Sequence, residues 1–221
     1  MLGRELKESG VKSAGLVVLL AALSGGAFVL SFEALLPTGV ANGLEILALL
    51  VVQVLGVIFT LLVLAARSMA ALSTDLSVLR VTGQWSIQSS PGTDPRLDWT
   101  LPRLLAVAVS AGILYLYFVV AALLVGSLVS NQTPDVREMV QVFEWVSPAS
   151  MLLGWLRTSL LAAAGVLAVV RHSWRRARSL PGLPSVISGS VLRAILLMLG
   201  LELFYQVLAR SFGSGLGQVM R

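Results

Sequence analysis

Long apolar runs alternate with short polar segments along the whole chain. Five of these runs reach about twenty residues with few charged positions, the length an α-helix needs to cross a hydrocarbon core of about 30 Å. The pattern predicts an all-α polytopic membrane protein, a bundle of five transmembrane helices in a single integral membrane domain over residues 1–221. The predicted spans cover residues 13–36, 44–66, 102–129, 150–170 and 186–209.

The first apolar run shares some features with a signal peptide, namely a basic start, an apolar core and small residues at its end. However, Glu5 and Glu8 interrupt the basic region, and the apolar run continues well past Ala27. We therefore expect the run to be a membrane span, with a cleaved signal peptide as the alternative.

Two polar connections carry a helical repeat of apolar residues. In residues 67–81 apolar side chains recur at helical spacing opposite serine, threonine and aspartate. Residues 134–146 repeat the pattern after Thr133 and Pro134, which suit the start of a helix. We predict two amphipathic interfacial helices, of which the first lies on the membrane or continues span two. It is also the candidate contact for a cytoplasmic partner, through Met69, Leu72, Leu76 and Leu79.

Composition supports the membrane interpretation and the charges orient it. The chain is 57% hydrophobic and 12% charged, with a mean hydropathy of +0.89, whereas soluble domains are about 25% charged. The net charge of +5 comes from arginines grouped beside apolar runs, which favours membrane orientation over nucleic-acid binding. By the positive-inside rule, the N-terminus and the second and fourth connections are cytoplasmic and the C-terminus is outside. We expect a bacterial plasma or internal membrane.

Little in the sequence indicates catalysis or a cofactor. The chain has no cysteine, which excludes disulfides, thiolate metal sites and iron–sulfur ligation. Its single histidine, His172, excludes a haem held by two histidines of this chain. Because hydrolase, zinc-protease and Walker motifs are also missing, we expect a chain that is not an enzyme and holds no metal or cofactor.

Spans four and five carry ionisable residues well inside their ends, namely Arg157, Arg193 and Glu202, and insertion of such residues into lipid costs about 2.5–3.5 kcal/mol each. Arg193 and Glu202 are nine residues apart, about 900° of helical turn, so they point from opposite faces and cannot pair. Arg157 of span four and Glu202 reach similar depths, which makes an ion pair between antiparallel neighbours feasible. The pair either fixes helix register, with Arg193 reaching the cytoplasmic face, or belongs to a polar path for a substrate or proton.

Further polar candidates lie around the first two spans. Glu33 and Glu45 flank the short connection of residues 37–43, and Gln53 lies within span two. The two carboxylates either extend into the headgroup region or form an entry site for a cation or proton.

Part of the sequence resembles a known transporter family. Residues 137–157, REMVQVFEWVSPASMLLGWLR, are similar to the outer-surface segment of ABC-2-type export permeases, with Trp145, Ser147, Pro148 and Arg157 at the matching positions. The RELK sequence before span one, and the amphipathic segment after span two, also look like this family. The resemblance implies a permease that oligomerises and binds a separate cytoplasmic ATPase through residues 67–100. The family typically has six spans with both ends cytoplasmic, whereas five are predicted here.

Two functions therefore remain open from the sequence. The first is the membrane-embedded subunit of a transport system, in the manner of an ABC-type export permease. The second is a non-catalytic structural or assembly subunit of a larger membrane complex. In either case the expected partners are the lipid bilayer and other membrane subunits or further copies of the chain. The first function adds a cytoplasmic ATPase.

Overall fold

The structure, a computed structural model, describes residues 12–35, 48–83, 95–130, 146–177 and 182–219. Every regular element in these ranges is a helix, so the predicted all-α fold is confirmed. The elements are α1 (Lys12–Leu35), a first π-turn (Val51–Leu55), α2 (Gly56–Leu64), a second π-turn (Ala65–Met69), α3 (Ala70–Val81), α4 (Pro95–Ser130), α5 (Pro148–Arg176) and α6 (Leu183–Val219).

Five helical stretches in the described residues are long and apolar enough to cross a membrane, as predicted. They are span one (Ala14–Ser31), span two (Ala48–Val81), span three (Thr100–Val129), span four (Pro148–Arg176) and span five (Leu183–Ala209). Span four begins at Pro148, two residues before the predicted start, and Ser147 ahead of it is in an extended conformation. The helix that contains span three begins before the predicted span, because α4 starts at Pro95 and includes Pro102.

Span two is longer than its apolar run, and of the two alternatives for residues 67–81 the structure shows the continuation of span two rather than a separate interfacial helix. The helix continues without a break from Ala48 through both π-turns into α3. Its apolar side does not rest on lipid, since α3 packs against α5 and α6. The second predicted interfacial helix, residues 134–146, falls largely outside the described residues.

The five spans share one apolar core, with span two at its centre. Span three packs against spans one and four, span four also packs against span five, and span two contacts all four others. The core residues come from every span, from Val17 near one end of the chain to Met198 near the other. Span five is the most open of the five, with many of its large apolar side chains exposed.

Small residues set the closest approaches between helices. A Cβ added to Gly25 would stand 3.0 Å from the carbonyl carbon of Ala122 and nearer still to its oxygen, so spans one and three touch through their backbones. At Gly112 an added Cβ would meet Trp155 and Ser159 of span four. Such pairs of small residues allow close helix packing in membranes, where lipid supplies no hydrophobic force to hold helices together.

Candidate functional site

The first π-turn supplies backbone acceptors to three other helices. A π-turn displaces the regular α-helical hydrogen bonds, and such turns are frequent at functional sites. The hydroxyl of Tyr115 in span three donates to the carbonyl of Val52 over 2.8 Å. The next carbonyl, that of Gln53, accepts from Nη2 of Arg157 and, over 3.1 Å, from Nε2 of Gln206. Spans three, four and five therefore converge on one turn of span two.

An ion pair lies beside this turn. Arg157 Nε is 3.3 Å from Glu202 Oε2, although neither atom has the alignment of a hydrogen bond. The other carboxylate oxygen, Oε1, accepts from Gln206 Nε2 over 2.9 Å. Glu202 is only 1% exposed. Because an unpaired carboxylate at this position would be severely penalised by lipid and protein alike, the contacts with Arg157 and Gln206 offset the cost of burying it.

The pair is deep in the membrane. Arg157 lies nine residues after the start of span four at Pro148, and Glu202 lies seven residues before the end of span five at Ala209. With a helical rise of about 1.5 Å per residue, both lie about 10–14 Å from the same end of the bundle. The two residues therefore meet at matching depth, as the sequence predicted.

The site is open on one side. Tyr205 stacks on the guanidinium of Arg157, with Cζ 4.6 Å from the ring centroid, and is itself 43% exposed. The side chain of Gln53 is also exposed. One turn before Tyr205, on the same side of span five, Leu201 is 42% exposed. We call the polar part of this site the polar cluster; it consists of Gln53, Arg157, Glu202, Tyr205 and Gln206.

Glycines hold the base of the polar cluster in place. The ring of Tyr115, which is fully buried, lies between Gly56 of span two and Gly154 of span four. A Cβ at either glycine would overlap the ring or its hydroxyl. The two glycines thus fix the tyrosine that holds the π-turn.

The remaining predicted site residues lie elsewhere. Arg193 contacts Nδ1 of His172 between spans five and four and takes no part in the polar cluster. Glu33 is in α1, but its side chain and the whole of Glu45 fall outside the described residues. Gln206 and Tyr205 were missed by the sequence reasoning. Gln206 has a detectable signal, since it follows Glu202 by four residues on the same helix face.

The predicted partner-contact residues are mostly internal. Met69, Leu72 and Leu76 are buried in the core and Leu79 is half-buried, so their contacts are with the chain's own helices. Contact of this segment with a partner stays a prediction, and the exposed side of α3 is the surface available for it.

Buried hydroxyls join α3 to spans four and five. Ser190 donates to Ser73 over 2.6 Å, and Ser73 lies 2.9 Å from the hydroxyl of Ser173. Closer to the ends of the same helices, the guanidinium of Arg80 lies 5.0 Å from the ring centroid of Trp174. These contacts connect α3 directly to spans four and five.

The other tyrosine of span three behaves differently from Tyr115. Both tyrosines lie near the middle of span three, and Tyr115 is fully buried with its hydroxyl bound to Val52. Tyr117 is instead 52% exposed on the outer surface. Two residues along a helix turn the side chain by about 200°, which separates the inner from the outer face.

Comparison with known proteins gives one family. A family model described as Permease MlaE matches residues 2–208, a range that contains the polar cluster and nearly all of the five spans. No curated protein matches the chain. The match confirms the ABC-type permease expected from the sequence, and favours transport over a purely structural role. The chain belongs to the MlaE permease family, whose members are the membrane-embedded subunits of ABC-type transport systems and work with a separate ATPase.

Proposed function

We propose that the chain is the permease of an ABC-type lipid transporter and that the polar cluster binds the headgroup of the transported lipid. The observation that carries this proposal is the buried Arg157–Glu202 pair, which opens through Tyr205 and Gln53 onto an exposed apolar face of span five. A lipid is amphiphilic, so its site needs polar groups and an apolar surface side by side.

The chemistry of the polar cluster suits a polar headgroup. Arg157 presents a planar guanidinium with several donors, the geometry that favours phosphate and carboxylate groups. Its Nε faces Glu202 without the alignment of a hydrogen bond, so the arginine retains unused donor capacity. Gln53, whose backbone carbonyl belongs to the cluster, is also exposed, and its side-chain amide carries both a donor and an acceptor.

The apolar face beside the cluster suits acyl chains. Leu201 and Tyr205 lie one turn apart on the side of span five next to Glu202, and they are 42% and 43% exposed. They occupy the same part of span five as Glu202 and Gln206. A lipid with its headgroup at Arg157 would thus lay its chains along this face.

The separate ATPase is expected to dock at the opposite end of span two. The exposed side of α3 carries Thr74, Asp75 and Val78, and Asp75 is held by Arg103 over 3.5 Å. The serine contacts of α3 with spans four and five give a route from the ATPase to the helices that carry the polar cluster. We place this end, together with the N-terminus, on the cytoplasmic side of a bacterial inner membrane. We expect the chain itself to have no catalytic residues.

The test separates headgroup binding from a purely structural ion pair. Replacing both partners of a buried ion pair with apolar residues of similar size is often neutral for stability, whereas removing one is costly. The double variant Arg157→Met/Glu202→Met should therefore fold. Reconstituted in liposomes with its ATPase, it should lose ATP-dependent lipid transfer by about tenfold or more, the equivalent of one charge-assisted contact.

The matched control changes two lipid-facing leucines in the same spans. Leu160→Met/Leu196→Met makes a similar apolar substitution outside the cluster, since both leucines are exposed. It should keep normal transfer. Normal transfer by the Arg157→Met/Glu202→Met variant would show that the ion pair only fixes helix register, and would overturn the proposal.

A further inference from the structure

A second basic site lies at the other end of spans four and five. Arg193 projects from span five and contacts Nδ1 of His172 in span four. We call the surrounding surface the arginine-rich end, the part of the bundle where span four ends and span five begins, with exposed Arg171, Arg175 and Arg176. The polar cluster is nine residues farther along span five, so the two sites are about 13 Å apart along the helix axis.

The contact between Arg193 and His172 fixes the protonation of the histidine. Arginine has only donors, so His172 must accept through Nδ1 and carry its proton on Nε2. The histidine is then neutral, and its Nε2 faces Gly189 of span five. A Cβ on Gly189 would be 3.4 Å from this nitrogen, an ordinary van der Waals contact, so the ring packs against span five and presents Nδ1 to Arg193.

The charge of the site has no counterpart within the described part of the chain. No acidic side chain of the described residues pairs with Arg193, and His172, being neutral, does not balance its charge. Arg176 lies one turn beyond His172 on the same helix, close enough for its charge to act on the ring. The positive charges of Arg193 and Arg176 therefore act on one imidazole ring from two neighbouring helices.

The depth of the site indicates where its counter-anion comes from. Arg193 is ten residues into span five, which puts its Cα about 15 Å from the start of the helix. Helical side chains tilt toward the helix N-terminus, so the guanidinium reaches back toward the headgroup region near the last turn of span four. Arg193 is exposed on the surface of the bundle, where lipid is the neighbour.

We infer that Arg193, His172 and Arg176 form a binding site for the phosphate of an anionic bilayer lipid, held between spans four and five. Basic pockets between transmembrane helices are the usual form of such sites. This lipid is a bound component of the permease, separate from the one carried through the polar cluster, and it links the ends of the two spans. The inference stands whether or not the polar cluster binds the transported lipid.

The test measures lipid preference by thermal unfolding of the full-length chain in detergent. Delipidated protein is titrated with phosphatidylglycerol or with phosphatidylcholine of the same acyl chains. The wild type should bind phosphatidylglycerol more tightly. Arg193→Gln and Arg176→Gln should each weaken phosphatidylglycerol binding by about fivefold, the effect of one basic residue at a membrane surface, and leave phosphatidylcholine binding unchanged.

The control is Arg171→Gln, an exposed arginine of the same helix end that points about 100° away from His172 around the helix. It should change the preference less than twofold. Arg176 is on the surface, so its variant tests the site even if Arg193→Gln folds poorly. If Arg171→Gln and Arg176→Gln weaken phosphatidylglycerol binding equally, the preference comes from general surface charge, and the proposed site is wrong. Competition by millimolar inorganic phosphate would show a soluble anion as the ligand and overturn the lipid assignment.

Discussion

Tyr115 in span three and Gly154 in span four are in such close contact that the glycine has no room for a side chain. A Cβ on Gly154 would stand 2.5 Å from Cζ of Tyr115 and nearer still to its hydroxyl. The ring has no free space to move into, because it is fully buried and its other face is against Gly56. The position of Tyr115, and with it the π-turn at Val52, depends on this glycine.

Gly154→Ala should therefore destabilise the protein by about 1–3 kcal/mol or more, the usual cost of overpacking a core. The measurement is thermal unfolding in detergent. The control is Gly200→Ala in span five, where an added Cβ meets nothing within 4 Å. It should be neutral or stabilise by about 0.5–1 kcal/mol, because alanine favours the helix over glycine. Equal stability of the two variants would contradict the packing described at Tyr115.

Removing the hydroxyl of Tyr115 tests the hydrogen bond to Val52 without changing the packing. Tyr115→Phe leaves the Val52 carbonyl without its donor from span three, so we expect a loss of about 0.6–1.7 kcal/mol, the range of hydrogen bonds between membrane helices. Tyr117→Phe is the matched control, since that side chain is exposed on the outer surface, and it should leave the unfolding temperature unchanged. A loss of the same size in both variants would argue against a special role for Tyr115.

The five spans and the Arg157–Glu202 ion pair could be predicted because both follow from positions along the sequence. Apolar length gives a span, and helical rise gives the depth of Arg157 and Glu202. Hydropathy reports contact with lipid, however, and does not report where a helix ends. Span two thus continues past residue 66, because the apolar side of α3 packs against spans four and five and not against lipid.

The π-turn could not be predicted from residues 51–55. VVQVL would fit an ordinary α-helix equally well, and the feature that distinguishes it is external. Tyr115, Arg157 and Gln206 arrive from three other helices to satisfy the carbonyls of Val52 and Gln53. The location of the polar cluster therefore depends on how the helices pack together. From the sequence alone, only its charged members, Arg157 and Glu202, could be recognised.

The ion pair should show strong coupling between its two residues. Arg157→Met alone leaves Glu202 buried without its charge partner, and should cost about 3–5 kcal/mol. Glu202→Met should cost less, because Arg157 is 14% exposed in its side chain and keeps the carbonyl of Gln53 and the ring of Tyr205 as partners. The double variant should be more stable than Arg157→Met. A double-mutant cycle by thermal unfolding measures the coupling, and additive losses would contradict the pair.

The link between α3 and spans four and five can be tested at Ser73. Ser73→Ala removes the hydroxyl that joins Ser173 and Ser190, at a cost of about 1 kcal/mol. The loss is modest because Ser190 can still donate to the carbonyl of Ile187. Thr74→Ala is the control, since that exposed hydroxyl bonds only within its own helix, to Ala70. If α3 carries motion from the ATPase, Ser73→Ala should also lower lipid transfer more than ATP hydrolysis, whereas Thr74→Ala should lower neither.

The exposed side of α3 should be the contact with the ATPase. Val78 is exposed there while Leu76 and Leu72 face the core, so Val78→Arg changes the surface without disturbing the packing. A bulky charge in a docking surface would have to be desolvated, and we expect recovery of the co-expressed ATPase with the permease to fall by about tenfold or more. Arg175→Gln, an exposed change outside α3, should leave recovery unchanged, and both variants should unfold at the wild-type temperature. If the ATPase is fully recovered with the Val78→Arg permease, the ATPase does not bind this face of α3.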